Sequence, residues 1–163
     1  MFKLKSLSKD GIPAALQKAE RYRLLNEPRE AESICLDVLE IEPNNPKAIV
    51  SLLLSITDQF GDGMSVEHAR ELLPQLHDEY ERMYYSGIIF ERQAKVTLKR
   101  GTPGSDSFAY EWFRDAMDQF EKAETIRPPG NDDAIIRWNT CARIIMRNKL
   151  GPRKEDRIEP FLE

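Results

Sequence analysis

The sequence predicts an all-α fold, on three observations. Apolar residues recur at helical spacing, as in Ala31, Cys35, Val38 and Leu39. Strand signals are nearly absent, with no sustained period-two alternation and no Asn-Gly hairpin turn. Prolines and glycines fall between the helical stretches, Pro74 being the main exception, and cut the chain into helices of roughly three to five turns.

In chain order, the first helix is predicted over about 13–26, opening on Pro13, a good first-turn residue. The second opens near Pro28 and ends before Pro43. Asn45 can cap a third, with Pro46 in its first turn, continuing to about Gln59. Gly61, Asp62 and Gly63 force a turn. Ser65 then caps a fourth helix carrying Ala69, Leu72, Leu73 and Leu76, which Pro74 kinks or stops early. The fifth begins near Asp78 and reaches Arg100, since only the tolerable Gly87 interrupts it. After the Gly101-Thr102-Pro103-Gly104 loop, Ser105 or Ser107 caps a sixth running to Arg127. Pro128, Pro129 and Gly130 break the chain again, and a seventh runs from about Asp132 to Asn148.

Composition narrows the function. At 163 residues the chain suits one domain with a real core, and 40% hydrophobic with 32% charged residues marks a soluble, globular class. Basic residues number 24 against 28 acidic, a net charge of -4. A nucleic-acid binder draws its affinity from phosphate neutralisation and shows a basic excess, so that class is disfavoured. The first residues have no signal-peptide pattern, and the longest apolar stretch, 49–56, is too short to span a bilayer. Cys35 and Cys141 lie far apart in sequence and suggest two reduced core thiols in a cytoplasmic protein.

The sequence also repeats itself. Segment 31–43, AESICLDVLEIEP, aligns with 116–128, AMDQFEKAETIRP. Ala31 matches Ala116, Cys35 matches Phe120, Val38 matches Ala123, Ile41 matches Ile126 and Pro43 matches Pro128. Downstream, Ala48-Ile49-Val50 corresponds to Ala134-Ile135-Ile136, and Leu52 to Trp138.

That pattern resembles the tetratricopeptide repeat, a helix–turn–helix unit of about 34 residues whose copies stack. Ala19, Tyr22, Ala31, Cys35 and Pro43 stand at family spacing in a first unit, and Gly87, Phe90, Ala116, Phe120, Ala123 and Pro128 in a third. The second is weaker: Ala48, Leu52, Leu53 and Ile56 suit its first helix, and Ala69, Leu73 and Leu76 its second, but the closing proline is missing. The resemblance implies a right-handed helical-repeat solenoid of about three such pairs plus a C-terminal capping helix. Its expected organisation is a tail 1–11, repeats at about 12–45, 46–77 and 78–130, a capping helix 131–148 and a tail 149–163. Relative to the family the third unit carries about seventeen extra residues, expected to form a projecting hairpin, 95–111, about 12 Å longer than a standard unit.

In the family the first helix of each pair lines a concave wall where peptides lie. Carried over, the wall is Leu16, Gln17, Glu20 and Arg23, then Lys47, Val50, Ser51, Leu54 and Asp58. It continues with Tyr84, Tyr85, Ile88, Glu91 and Arg92, and ends on Ile136, Arg137, Thr140 and Arg143. Tyr84 and Tyr85 point about 100° apart on a helix, so one can anchor a partner while the other packs, or both can pad the helix junction. Arg92, Arg137 and Arg143 form either a cationic groove end suited to an acidic peptide or an ordinary solvated face. The lysine–asparagine clamp by which some family members grip chaperone tails is absent, because its positions hold Leu16, Glu20, Ser51, Glu81 and Tyr85. Trp112 is either a contact on the hairpin or a packing residue against the lengthened fifth helix.

Chemistry finds little purchase. His68 and His77 lack a metal-ligand pattern, and the 101–104 loop lacks the lysine of a phosphate-binding loop. No cofactor and no catalytic residue are expected. The sequence therefore reads as an adaptor or scaffold, not an enzyme, holding a peptide or helix of a partner protein, with no nucleic acid and no membrane. A dedicated chaperone for a secreted or unstructured partner, or a self-associating module forming a homodimer, are the alternatives.

Overall fold

Prolines and capping side chains fix most of the helix starts. In a computed structural model that describes residues 1–153, every regular element among those residues is helical. Helix α1 (Ile12–Leu24) has Pro13 in its first turn, α2 (Pro28–Ile41) opens on Pro28, and α3 (Pro46–Thr57) opens on Pro46. Proline suits these positions because its missing N–H would lack a helical partner there. The Asn45 side chain accepts from the Ala48 N–H at 3.1 Å to cap α3 and donates to Glu42 Oε2 at 2.9 Å. Ser65 caps α4 (Val66–Arg70) through the His68 N–H, and Asp78 caps α5 (Glu79–Arg100) through the Tyr80 N–H. Helices α6 (Ser105–Thr125) and α7 (Asp133–Asn148) complete the set.

Two local expectations need correction. The fourth helix stops at Arg70, and a separate 3-10 turn, Leu73–Gln75, carries Pro74. Proline removes a backbone donor and crowds the preceding turn, so the helix ends before it instead of kinking through it. Ala69 and Leu76 are still buried, but Leu72 and Leu73 are only half-buried. Neither Ser105 nor Ser107 caps α6. Gly104, with φ +81°, is the capping residue, Ser105 is a buried first-turn residue, and the Ser107 hydroxyl donates back to the Gly104 carbonyl at 3.0 Å.

The chain divides into two compact units, Met1–His77 and Asp78–Glu163, the second described as far as Arg153. The division falls where the second and third repeats meet in the sequence reading. In the first unit Ile12, Val38 and Ala48 bring α1, α2 and α3 together, with Leu7, Leu16, Leu39 and Ile41 packed around them. Ala19, Ala31 and Cys35 are fully buried. Two polar ties reinforce the packing: Arg23 of α1 grips Asp58 just beyond α3 at 2.8 Å, and Gln59 donates to Glu32 of α2 at 2.7 Å. Buried Ser55 and Thr57 satisfy their hydroxyls on the Ser51 and Leu54 carbonyls of their own helix.

In the second unit α5 and α6 form one long hairpin. Ala94, Thr97, Ser105 and Ala109 are buried, so the two helices stay zipped up to the Gly101–Gly104 turn. Trp112 is half-buried with its ring 5.7 Å from that of Phe90, and so serves the pairing of the two helices. At the crossing, Gly87 of α5 meets Phe120 of α6, whose ring atoms would lie 2.5 Å from a Cβ at position 87.

Gly87→Ala should therefore reverse the usual helix-propensity gain of about 1 kcal/mol and destabilise by ~1–3 kcal/mol through overpacking. Urea unfolding of the single variant and of Gly87→Ala/Phe120→Leu checks it: the double variant should recover stability, and a stabilised single variant would refute the close crossing.

Candidate functional site

The sequence reading spread its candidate wall over both units, and each half can be placed. In the first unit, Leu16 packs into the core cluster, while Gln17 and Glu20 are exposed on α1. Val50, Ser51 and Leu54 are half-buried on α3, a helix whose other side chains are mostly buried. Arg23 is not an open groove cation: its Nε and Nη2 both reach the Asp58 carboxylate, at 2.8 and 3.4 Å. A two-pronged guanidinium–carboxylate pair has its geometry already committed.

In the second unit, Tyr84, Tyr85 and Arg92 are half-buried on α5 and Thr140 is half-buried on α7, while Arg143 is exposed. Ile88 is 5% exposed and belongs to the core, which removes it from the wall. The tyrosines form a run. Tyr84 stacks on Tyr80 at 5.9 Å, meets Tyr85 edge-on at 5.1 Å, and leans against Phe120 at 5.9 Å. Tyr84 is thus the packing member of the pair. Burial, opposed by Arg137 of α7, pushes its phenol up to about 12.

The centre of this unit is a carboxylate. Glu91, assigned to the wall from the repeat geometry, is 0% exposed. Arg137 of α7 donates to its Oε2, the Lys95 ammonium lies 3.6 Å from the same atom, and the Cys141 thiol donates to Oε1 at 3.4 Å. Removing a carboxylate from water costs several kcal/mol unless opposite charge and donors meet it, and these three groups do so. Arg137 is accordingly a structural tie between α7 and α5, and the expected cationic groove end is reduced at its middle member. Spacing alone could not reveal this, because a glutamate one turn beyond Ile88 reads equally well as a solvated residue.

The thiols are inert in this setting. Burial pushes Cys35 up to about 11, while burial and the Glu91 carboxylate push Cys141 further still. Among the described residues no group of three or more His, Cys, Asp or Glu is arranged to hold a metal ion, and no helix is long and apolar enough to cross a membrane. No family model matches the chain, and no curated protein or solved structure matches it significantly.

Two outcomes follow from this geometry. Arg137→Ala, which leaves Glu91 buried and without its main partner, should cost ~3 kcal/mol in chemical unfolding. A Glu91→Leu/Arg137→Leu pair should recover most of that, and equal losses in both variants would contradict the tie. In alkali the sign is set by the neutral forms. Unfolded cysteine and tyrosine ionise near 9.0 and 10.0, whereas native Cys35 and Tyr84 hold their protons to about 11 and about 12. Stability is full below pH ~9 and falls as pH rises from there, which thermal melts from pH 8 to 11 would read.

Proposed function

We propose that the protein is a non-enzymatic adaptor built from tetratricopeptide-like helix pairs, and that it holds a peptide or helix of a partner protein on the α5–α7 face of its second unit. The repeat reading is supported by the small residues Ala19, Ala31 and Ala116, all fully buried, and by the Gly87–Phe120 crossing. The α1–α2 pair fits the unit, α5–α6 fits it only with lengthened arms, and α3 and the five-residue α4 fit it loosely. Two buried thiols, neither in a disulfide, suit a reducing compartment such as the cytoplasm.

One observation carries the binding reading. Along α7 Ile136, Arg143 and Arg147 stay open to water, with Ile136 57% exposed, and half-buried Thr140 lies between them. Residues at this spacing share one helix face. An apolar side chain followed by cations at one-turn intervals offers an anchor and charge to an amphipathic, acidic partner segment. Glu91 fixes the adjacent Arg137, so α7 presents this stripe from a rigid support.

A photo-crosslinking residue placed at Ile136 should capture a partner in the native host, and one at exposed Asp118 of α6 should not. Ile136→Asp should weaken binding of that partner at least about tenfold (about 1.4 kcal/mol) with an unchanged melting temperature. Equal capture at both positions, or undiminished affinity, would exclude the α7 face.

A further inference from the structure

The N-terminal segment carries a second surface, independent of α7. Residues 1–7 form no regular element, and three of their apolar side chains stand in water: Met1, Phe2 (100% exposed) and Leu4 (84%). Single exposed apolar residues are ordinary on a protein surface, but three within four positions form a cluster, the mark of a docking surface. Leu7, by contrast, packs on the Ile12–Val38–Ala48 core cluster. Ser8 caps the 3-10 turn Lys9–Gly11 through the Gly11 N–H at 3.1 Å. The segment is thus anchored at its inner end while its outer end stands clear of the core.

Charge narrows the kind of partner that fits. Lys3, Lys5 and Lys9 are all exposed, and no acidic residue lies within 1–9. At the base of the segment, Lys18 and Asp37 line one groove with Leu7 and balance each other. The whole chain carries a net charge of -4, so the segment is a basic exception in an acidic protein. Lysine can lay its methylenes along an apolar surface and keep its ammonium among phosphates. A bilayer surface offers both layers, an acyl boundary for Phe2 and Leu4 and anionic headgroups for the lysines. A nucleic acid would meet the lysines and give the aliphatic side chains nothing to enter. No helix among the described residues is long and apolar enough to cross a membrane, which leaves contact with one leaflet.

We propose that residues 1–9 adsorb to the surface of a membrane rich in anionic lipid. Phe2 and Leu4 enter the acyl boundary, and Lys3, Lys5 and Lys9 lie among the headgroup phosphates. An extended backbone, whose alternate side chains point to opposite sides, lets the apolar and basic residues reach these two layers together. Neither signal suffices alone, and the two combined give reversible docking. The rest of the chain is acidic and is repelled by the same lipids, so the attraction is confined to this end. Docking leaves the Ser8 cap and the Leu7 packing as they are.

Co-sedimentation of the full chain with vesicles tests this. Vesicles of phosphatidylcholine mixed with phosphatidylserine should bind it at low salt, and vesicles of phosphatidylcholine alone should bind it at least about tenfold more weakly. Lys3→Gln/Lys5→Gln and Phe2→Ser/Leu4→Ser should each weaken binding to the mixed vesicles at least about tenfold. Both pairs change only exposed side chains, so the melting temperature should not move. A polarity-sensitive dye on a Leu4→Cys chain should brighten with the mixed vesicles, and the same dye on Asp118→Cys should not, native Cys35 and Cys141 being buried. No binding, equal binding to both vesicles, indifference to either variant pair, or equal brightening at both positions would overturn the proposal. So would a single-stranded RNA oligonucleotide that displaces the chain from the vesicles.

Discussion

Close helix crossing at small residues is the constraint on which both units rest. In the second unit Gly87 lets the Phe120 ring occupy the space where a Cβ would stand, and in the first the fully buried Ala19, Ala31 and Cys35 do the equivalent for α1 and α2. Packing of this kind stabilises only if both helices keep their register, because every contact further along the pair depends on the crossing point. The α5–α6 hairpin shows the consequence. Its helices remain paired through Ala94, Thr97, Ser105 and Ala109 to the turn, where Gly101 and Gly104 supply the left-handed backbone that reverses the chain.

A second constraint acts on α7. Only Ala134 and Cys141 of this helix are buried, so apolar burial alone would hold it weakly. The Glu91 carboxylate compensates by engaging Arg137 and Cys141 from a fully buried position. An ion pair of this sort fixes orientation more than it stabilises, because much of its attraction offsets desolvation. The exposed Ile136 and Arg143 of this helix gain their fixed direction from this tie.

The helix framework was legible in the sequence because its signals are local. Pro28, Pro46, Asn45, Ser65 and Asp78 mark helix starts through backbone chemistry that needs no knowledge of distant residues, and all sit at the observed starts. The end of α4 was less legible, since Pro74 could either kink or stop a helix and only packing chooses between them. The wall was legible in part. Gln17, Glu20 and Arg143 are exposed, whereas Ile88 and Glu91 are core, and Arg23 and Arg137 are held by carboxylates. A repeat pattern fixes which helix face a residue occupies. It does not tell how deeply a neighbouring helix covers that face.

By itself the sequence determined an all-helical chain, most of its helix starts and the small residues at which helices cross, because propensity, capping and periodicity act over a few residues. Tertiary structure alone decided the rest. It buried Glu91 against Arg137, committed Tyr84 and Trp112 to aromatic packing, and left Phe2, Leu4 and Ile136 in water. Burial and charge pairing depend on which helices meet in space, and residues far apart in the chain, such as Glu91 and Arg137, become neighbours only when they do.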